Sequence, residues 1–443
     1  MNIRIYNARI LTMEENREIF EGEIQVRGNK IAYVGPTADA KNAVGEDAKV
    51  EGKVWDREID ANGNLIMPGF KNAHTHSGMT FLRSYADDLP LLDWLNQQVF
   101  PMEAKLSPED IYHLSKLAIM EYLTSGMTAN FDMYLTPDTV AQASIDCGFR
   151  TVMCGGFNDF SQSLEELEEW YLKYKVKKYV LEYNAQDSLV SFELGFHAEY
   201  TTSRENLEKL AALSHKYQAP LYTHSSESKA EVEGCIKRYG KTPTAILDEL
   251  GIFDNGGACY HCVHMTDEDL DILKKRNIYV VSNPGSNTKL ASGIARIEDM
   301  LDRGIHVALG TDGPASNNCL DMFREMFLVT GLAKLRANDA SALDANKVLR
   351  MATVEGAHAM GLDNADVLAE GKFADLIMID LHQPNMQPIN NIAKNLVYSG
   401  SKQNVKMTMV NGKVLYEDGK FYIGVPAEDV YKKANEIMSG FTK

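Results

Sequence analysis

Three histidines and one aspartate stand where they can share a single metal ion. His74 and His76 are two residues apart, so that in a strand both side chains point to the same face. His224 and Asp312 each lie at the carboxyl end of a further strand-like run. Three imidazole nitrogens and a carboxylate suit Zn²⁺ and leave a position for water, and Fe²⁺ is also chemically possible.

A hydrolytic metal site also needs groups that move protons. A bound metal lowers the pKa of water to about 7, and Asp312 can accept the proton that is released. Glu227 lies three residues beyond His224, close to the metal without being a ligand, and can donate a proton to the substrate. His261, at the end of another strand-like run, is predicted to orient the attacking hydroxide and to stabilise developing charge.

The middle of the chain has the alternation of strands and helices that would bring these residues together. Helix-like stretches, among them Pro108–Thr124, Arg204–Tyr217 and Asp267–Lys275, separate most of the strand-like runs. Eight such strands favour a (β/α)8 barrel, although doubly wound sheets alternate as well. In a barrel all carboxyl strand ends meet at one mouth, where the four candidate ligands would converge. The runs lie near 71–76, 128–134, 150–156, 190–199, 220–225, 257–264, 277–283 and 305–312.

Both ends of the chain predict β structure. Gly28-Asn29 joins two alternating runs near the start, and Asn411-Gly412 joins two more near the end, so each marks a hairpin. Neither end is long enough for a good sheet, and we therefore expect one discontinuous β module with a terminal helix over about 427–441. The predicted organisation is residues 1–66 for the first part of this module, 67–365 for the barrel and 366–443 for the second part and the helix.

Composition restricts the partners and the location of the protein. The chain has 443 residues and a formal net charge of −17. A phosphate-binding surface needs clustered lysine and arginine, so we expect neither nucleic acid nor an anionic membrane as a partner. The start has no apolar stretch behind basic residues, and no run of about 18 apolar residues occurs, which predicts a cytosolic protein. Its six cysteines are then expected to be free thiols.

A second metal motif is superficially present. His197-Ala198-Glu199 and Cys259-Tyr260-His261-Cys262 resemble the zinc-binding signature of cytidine-type deaminases. The signature needs a proline before the first cysteine, and Ala258 stands there. Strand alternation would also place Cys259 and Cys262 on opposite faces. We therefore interpret both cysteines as core thiols.

Several segments resemble the amidohydrolase superfamily, most closely the branch of methylthioadenosine/S-adenosylhomocysteine deaminases and chlorotriazine-hydrolase-like proteins. This resemblance implies a (β/α)8 barrel with a small β-sandwich formed from both chain ends. It also implies one metal, since two-metal members use a barrel lysine and the fourth strand run has none. The segments are PGFKNAHTHSGMTFLRSYADDLPLLDWL from Pro68, FPMEAKL from Phe100, GFHAEYT from Gly195, THSSES from Thr223, HCVHMT from His261, SNPGSNTKLASG from Ser282 and LGTDGPASNN from Leu309.

The resemblance also implies roles for individual residues. Glu103 matches the glutamate that grips ribose hydroxyls in members that act on nucleosides, and a carboxylate accepting two hydroxyls makes physical sense. His197 matches a histidine that contacts substrate, and Trp94 is placed to form an aromatic wall for the base. The metal ligands are implied to be His74, His76, His224 and Asp312, with Glu227 as proton shuttle and His261 beside the metal.

Two departures from the branch affect the predicted substrate. Ser282-Asn283-Pro284 stands where the branch usually has histidine first, so one active-site imidazole is absent. Members that use S-adenosylhomocysteine hold its carboxylate with arginines near the third strand, and 153–174 contains none. A carboxylate without a bidentate partner binds poorly, which favours uncharged 5′ groups.

The sequence thus predicts a deaminase of adenine nucleosides such as methylthioadenosine, 5′-deoxyadenosine or adenosine, with S-adenosylhomocysteine ranked last. One alternative is a hydrolase of another ring, such as guanine, a pterin, cytosine or an s-triazine. A further alternative is a non-catalytic barrel, which the retained ligands disfavour. The resemblance is compatible with a homo-oligomer, since homologous barrels are often dimers or tetramers.

Overall fold

The computed structural model describes residues 1–37, 54–85, 87–176 and 189–441. Its first strands belong to a mixed sheet, and the predicted hairpin is confirmed between the second and third of them. Gly28 in that turn has a φ of 65°, a conformation that glycine adopts at little cost. The strands are β1 (Asn2–Ile10), β2 (Phe20–Arg27), β3 (Lys30–Gly35), β4 (Arg57–Asp60) and β5 (Leu65–Pro68).

The next eight strands form a nearly closed parallel barrel. Each strand pairs with the one that follows it in sequence, which excludes the doubly wound alternative. The backbone N–H of Asp312, just beyond the last strand, donates to the carbonyl oxygen of His74 on the first at 3.0 Å and brings the two ends together. All eight predicted runs are confirmed, as β6 (Phe70–Thr75), β7 (Met127–Tyr134), β8 (Arg150–Gly155), β9 (Val190–Ala198), β10 (Leu221–Ser225), β11 (Gly257–His261), β12 (Ile278–Ser282) and β13 (Val307–Leu309).

The β module is completed by the end of the chain, as predicted. The strands β14 (Leu376–Ile379), β15 (Val405–Val410), β16 (Lys413–Glu417) and β17 (Lys420–Phe421) extend the sheet that the first strands begin. The order is β17-β16-β15-β14-β5-β1-β2-β3, with β4 beside β1, so the joint between the two chain ends is the antiparallel pair β5–β14. The domain boundaries themselves stay a prediction.

Helices connect the barrel strands, and the three predicted ones have the predicted bounds. Ser107 caps Pro108–Thr124 by accepting the N–H of Asp110, in the manner that a serine before proline indicates. The terminal helix Ala427–Phe441 packs against this helix. The remaining α-helices are Leu91–Trp94, Phe100–Glu103, Pro137–Cys147, Leu164–Tyr171, Arg204–Tyr217, Lys229–Tyr239, Pro243–Glu249, Asp267–Lys275, Pro284–Lys289, Ile297–Asp302, Met322–Ala337, Ala345–Ala352, Val354–Ala359 and Ile392–Tyr398.

Shorter helical turns complete the connections. The 3-10 helices are Ser77–Leu82, Glu199–Thr201, Pro384–Met386 and Lys402–Asn404, and the π-helical turns are Leu95–Val99 and Leu172–Val176. None of the described helices is both long and apolar enough to cross a membrane.

A buried ion pair joins the barrel to the β module. Arg150, at the start of β8, donates from Nε to Oδ2 of Asp375 at 2.6 Å and from Nη2 to Oδ1 at 3.1 Å. The backbone N–H of Asn411 donates to Asp375 Oδ1 at 2.7 Å. Both charged side chains are at most 2% exposed, so the pair compensates two charges that are held away from water.

The cysteines are free, and all but Cys319 are buried, as predicted. Strand alternation was expected to place Cys259 and Cys262 on opposite faces. This expectation does not apply to Cys262, because β11 ends at His261 and Cys262 has a φ of 48° in the turn that follows. Cys259 and Cys262 are core thiols all the same.

Candidate metal centre and substrate pocket

The structure brings together the four residues that were predicted to bind metal. His74 lies on β6 and His224 on β10, while His76 directly follows β6 and Asp312 lies three residues beyond the end of the short β13. One donor atom from each side chain lies within 4.8 Å of the other three, and all four residues are buried. The four side chains therefore form one cluster at the barrel mouth, where the carboxyl ends of the strands of a (β/α)8 barrel meet.

Backbone carbonyls orient two of the imidazoles. His76 Nδ1 lies 2.6 Å from the oxygen of Met133, and His224 Nδ1 lies 2.7 Å from the oxygen of His197. Because a carbonyl can only accept, each Nδ1 carries the proton and donates it. When such a ring is neutral, its Nε2 has a free lone pair, which is the arrangement that metal-binding histidines use.

His74 is placed by packing. Its ring stacks on Tyr260, with the ring centroids 3.7 Å apart and the planes at 20°. Neither of its nitrogens has a hydrogen-bond partner in the described part of the chain. Burial lowers the pKa of His74 to about 3 and that of His224 well below its usual value, so both are in the neutral form that can bind a metal.

Hydrogen bonds from three directions hold the Asp312 carboxylate. Oδ1 accepts the backbone N–H of Gly313 at 2.8 Å. Oδ2 accepts the hydroxyls of Ser286 at 2.6 Å and Ser316 at 2.8 Å. Oδ1 also faces Nε2 of His76 at 3.2 Å. Oδ1 thus points to the cluster, while Oδ2 is held by the two serine hydroxyls.

The Asp312 carboxylate attracts positive charge. Burial opposes its ionisation, but contacts with His74 and His76 outweigh burial and keep the pKa of Asp312 well below its usual value. Burial also opposes protonation of His76, yet the hydrogen bond to Asp312 and its charge raise the pKa of His76 to about 9. A buried carboxylate that draws positive charge to His76 is an electrostatic environment that suits a divalent cation.

Glu227 and His261 lie beside this cluster. Glu227 Oε2 is 3.7 Å from His261 Nε2, which is 4.0 Å from Asp312 Oδ2. His261 donates from Nδ1 to Oδ1 of Asn287 at 2.7 Å, so that its Nε2 faces the two carboxylates. Burial, with the charge of Asp312 adding to it, raises the pKa of Glu227 to about 8. A carboxyl group that holds its proton at neutral pH suits a general acid.

The cluster opens into a cavity of about 760 Å³, large enough for a nucleoside-sized ligand. The remaining sequence candidates also line it. Trp94 and Glu103 come from the helical turns after β6, and His197 lies near the end of β9 with its ring 4.9 Å from that of His224. All of the candidate site residues except the deeper His74 therefore face one cavity.

The sequence analysis did not identify two polar residues of this cavity. Tyr134, at the end of β7, and Thr136 each have a buried hydroxyl without a hydrogen-bond partner among the described residues. Oε1 of Glu103 and Nε1 of Trp94 are unpartnered as well. Buried polar atoms are rarely left unpaired, so their grouping in a cavity indicates ligand contacts. The position of Tyr134 at a strand end was the signal that could have revealed it.

Tyr134 and Glu103 are neighbours. Burial raises the pKa of Glu103 to about 7, and the Tyr134 hydroxyl opposes that shift. The Tyr134 ring packs against Gly78 so closely that a Cβ there would come within 2.0 Å of a ring atom. The absence of a Cβ at Gly78 therefore leaves the room that the Tyr134 ring needs beside the carboxylate.

The structure shows how the two departures from the deaminase branch relate to the cavity. Ser282 ends β12, is buried, and does not line the cavity. No lysine or arginine lies among the described residues that line it.

The match to known proteins extends over most of the chain. Residues 65–415 match the amidohydrolase family. The chain belongs to this family. A 5-methylthioadenosine/S-adenosylhomocysteine deaminase of Thermoanaerobacter pseudethanolicus is 39% identical over 420 residues, which cover 94% of each protein. The predicted family is thereby confirmed, and this amidohydrolase is a hydrolase that acts on carbon–nitrogen bonds.

Solved structures agree with the fold. A zinc-bound adenosine deaminase from Xanthomonas campestris superposes on the amidohydrolase with a TM-score of 0.89 at 31% identity, covering 99% of this chain and 98% of that one. An atrazine chlorohydrolase from Arthrobacter aurescens has a TM-score of 0.86 at 22% identity, covering 98% and 100% of the two chains. The second likeness concerns the fold alone.

Proposed function

We propose that this amidohydrolase removes the 6-amino group of adenine nucleosides, releasing ammonia and an inosine-type product. The observation that carries the proposal is that one cavity holds both Glu227, near the His/Asp cluster, and the neighbouring Glu103 Oε1 and Tyr134 hydroxyl, which have no hydrogen-bond partner among the described residues. The first group suits hydrolysis of a cyclic amidine, and the second suits the hydroxyls of a sugar. The deaminase name of the relatives supports the same reading.

The ligand set for one divalent cation is His74, His76, His224 and Asp312. The carbonyl-oriented imidazoles and the anchored carboxylate fit Zn²⁺, and Fe²⁺ would use the same donors. When bound, such an ion supplies Lewis-acid activation of water at neutral pH.

The protein residues divide the proton transfers between them. Asp312 takes the proton that leaves the attacking water, which its ionised state permits. Glu227 delivers its proton to a ring nitrogen, so that the carbon attacked by water can accept electrons from the ring. His261, held by Asn287, contributes an acceptor beside the reacting oxygen and fixes its orientation. Ammonia leaves when the amino nitrogen receives a proton from one of these two carboxyl groups, Asp312 or Glu227.

The rest of the cavity positions the nucleoside. Glu103 accepts two sugar hydroxyls, and Tyr134 donates to a sugar oxygen. His197 donates from Nδ1 to Thr201, whose hydroxyl donates to the oxygen of Ala198, so Nε2 of His197 is directed to the substrate. Trp94 forms an apolar wall of the cavity, with an N–H available for a ligand.

The 5′ group of the preferred substrate is uncharged. A substrate carboxylate would need an arginine or lysine to replace its water, and the described lining contains neither. The outer part of the cavity instead has apolar side chains, among them Leu92, Leu135 and Phe160. Methylthioadenosine, 5′-deoxyadenosine and adenosine fit this chemistry better than S-adenosylhomocysteine.

The proposal is tested by loading the protein with Zn²⁺ and following adenine absorbance and ammonia release with each of these four nucleosides. We expect turnover of all three uncharged nucleosides, with S-adenosylhomocysteine lowest in kcat/KM. Glu227→Gln, which cannot donate a carboxyl proton, is the control and should have strongly reduced but measurable turnover. Turnover of guanine or cytosine without turnover of any nucleoside would replace this proposal by the other-ring alternative. The predicted cytosolic location and homo-oligomer stay predictions.

A further inference from the structure

The helix that follows the Glu227 turn has an unusual capping box. Ser228 caps the helix Lys229–Tyr239, and Glu231 occupies the position whose carboxylate normally bonds back to the cap. The hydrogen bond that Glu231 accepts from the N–H of Ser228 is long, at 3.4 Å. Its short bonds go further back, from the N–H of Ser226 to Oε1 at 2.7 Å and from the N–H of Glu227 to Oε2 at 2.7 Å.

Other capping boxes of the chain lack this displacement. In the helices Pro108–Thr124 and Leu164–Tyr171, Asp110 and Glu166 accept the N–H of their own cap residue at 2.9 Å and 2.8 Å. Asp269 accepts the N–H of Thr266 at 2.9 Å in the helix Asp267–Lys275. The Glu231 carboxylate therefore does more than cap a helix, because it binds the backbone of the turn that carries the proton donor.

This turn needs support from outside itself. Ser226 has a φ of 53°, a conformation that costs energy for a residue with a Cβ. Its carbonyl oxygen accepts the N–H groups of Val263 at 3.1 Å and His264 at 2.9 Å, just beyond His261. Oε1 of Glu227 has no hydrogen-bond partner within the described ranges, so Oε1 does not help to hold the carboxyl group in place. The backbone of Glu227 is therefore one determinant of where its carboxyl group lies, beside the 3.7 Å contact of Oε2 with His261 Nε2.

We propose that Glu231 is a positioning residue that fixes the backbone of Glu227 and thereby aims its carboxyl group at the substrate. Glu231 is 2% exposed and does not line the cavity, so it acts through Glu227 rather than on the substrate. The inference rests on the proton-donating role proposed for Glu227. A displacement of about 1 Å in a catalytic group can lower a rate by about 100-fold, so a modest loosening of this turn has a large effect.

The test is a double-mutant cycle. Glu231→Gln retains the shape of the side chain but replaces one acceptor oxygen with an amide that cannot accept. We expect kcat with adenosine to fall by about 10–100-fold, with KM and bound zinc nearly unchanged. In a Glu227→Gln background the same substitution should cause no further loss, because the group that it positions is already disabled. Asp269→Asn, which weakens a capping box away from the cavity, is the matched control and should keep wild-type kcat.

The outcomes separate this inference from the proposed function. An unimpaired Glu227→Gln variant would refute the proton role itself. An impaired Glu227→Gln with an unimpaired Glu231→Gln would refute only the positioning role, as would equal losses from Glu231→Gln in both backgrounds. If Glu231→Gln does not fold, Glu231→Asp retains the charge on a shorter arm, and wild-type kcat in that folded variant would also overturn the proposal.

Discussion

Nδ1 of His224 donates a 2.7 Å hydrogen bond to the carbonyl oxygen of His197 on the neighbouring strand. One strand end thus sets the ring orientation of a candidate metal ligand and also carries a residue of the substrate cavity. The metal cluster and the cavity are therefore built on the same two neighbouring strand ends.

Loss of one imidazole should remove the metal. In His224→Ala we expect metal analysis of the purified protein to find well under one zinc per chain, since only two ligands at the end of β6 and one beyond β13 remain. His215→Ala is the control, because His215 is exposed and pairs with Asp254 away from the cluster. Equal zinc in both variants would show that the metal, if any, is bound elsewhere.

The serines behind Asp312 should tune metal affinity without binding the metal. Ser286→Ala or Ser316→Ala removes one donor to Oδ2, and the loss of such supporting bonds costs about 10–100-fold in affinity. Competition with a zinc chelator measures the change. Ser115→Ala, at a buried serine whose hydroxyl has no partner among the described residues, should leave affinity as it is.

Sugar recognition should depend on Tyr134 and Glu103 together with the substrate hydroxyls. Hydrogen bonds to charged groups contribute about 1.5–3 kcal/mol, so Glu103→Gln should lower kcat/KM for adenosine by about 10–100-fold. Tyr134→Phe, which removes a neutral partner, should have a smaller effect. With 2′,3′-dideoxyadenosine both variants should equal the wild type. An equal loss on both substrates would mean that these residues support the fold of the cavity rather than the sugar.

The barrel could be predicted from the sequence because its strands are short apolar runs that end in polar residues. His74 and His76 were recognisable by their spacing, and Asp312 by its position after an apolar run. The contacts of Glu231 and Ser286 could not be predicted in this way. Their bonds depend on backbone turns at Ser226 and beyond β12, where positive φ values and helix starts, not residue periodicity, decide which atoms meet.

The Arg150–Asp375 pair should be a major stabilising contact between the two modules. Asp375→Asn removes the carboxylate that faces the buried Arg150 guanidinium, and breaking a buried ion pair costs about 3–5 kcal/mol in comparable cases. Thermal unfolding at neutral pH should therefore show a clearly lower Tm. Glu205→Gln, at an exposed ion pair with Lys209, should leave Tm unchanged.

The same pair predicts a pH dependence. Burial alone would raise the pKa of Asp375, but the charge and hydrogen bond of Arg150 outweigh it and lower the pKa. A folded-state pKa below the unfolded value of about 3.9 gives stability that is present above about pH 4 and is lost as pH falls through the folded pKa. The Tm difference between wild type and Asp375→Asn should hence narrow in acid, and a constant difference down to pH 2 would contradict this assignment.

The pairing of β5 with β14 has a consequence for synthesis on the ribosome. Leu65 finds its partner Ile379 only after the whole barrel has been translated. Until then β5 is an unpaired sheet edge, a surface that promotes association with other chains. The last strands thus complete the sheet that the first strands begin. A nascent chain arrested before residue 376 would still have β5 as an unpaired edge strand, which chaperones could bind.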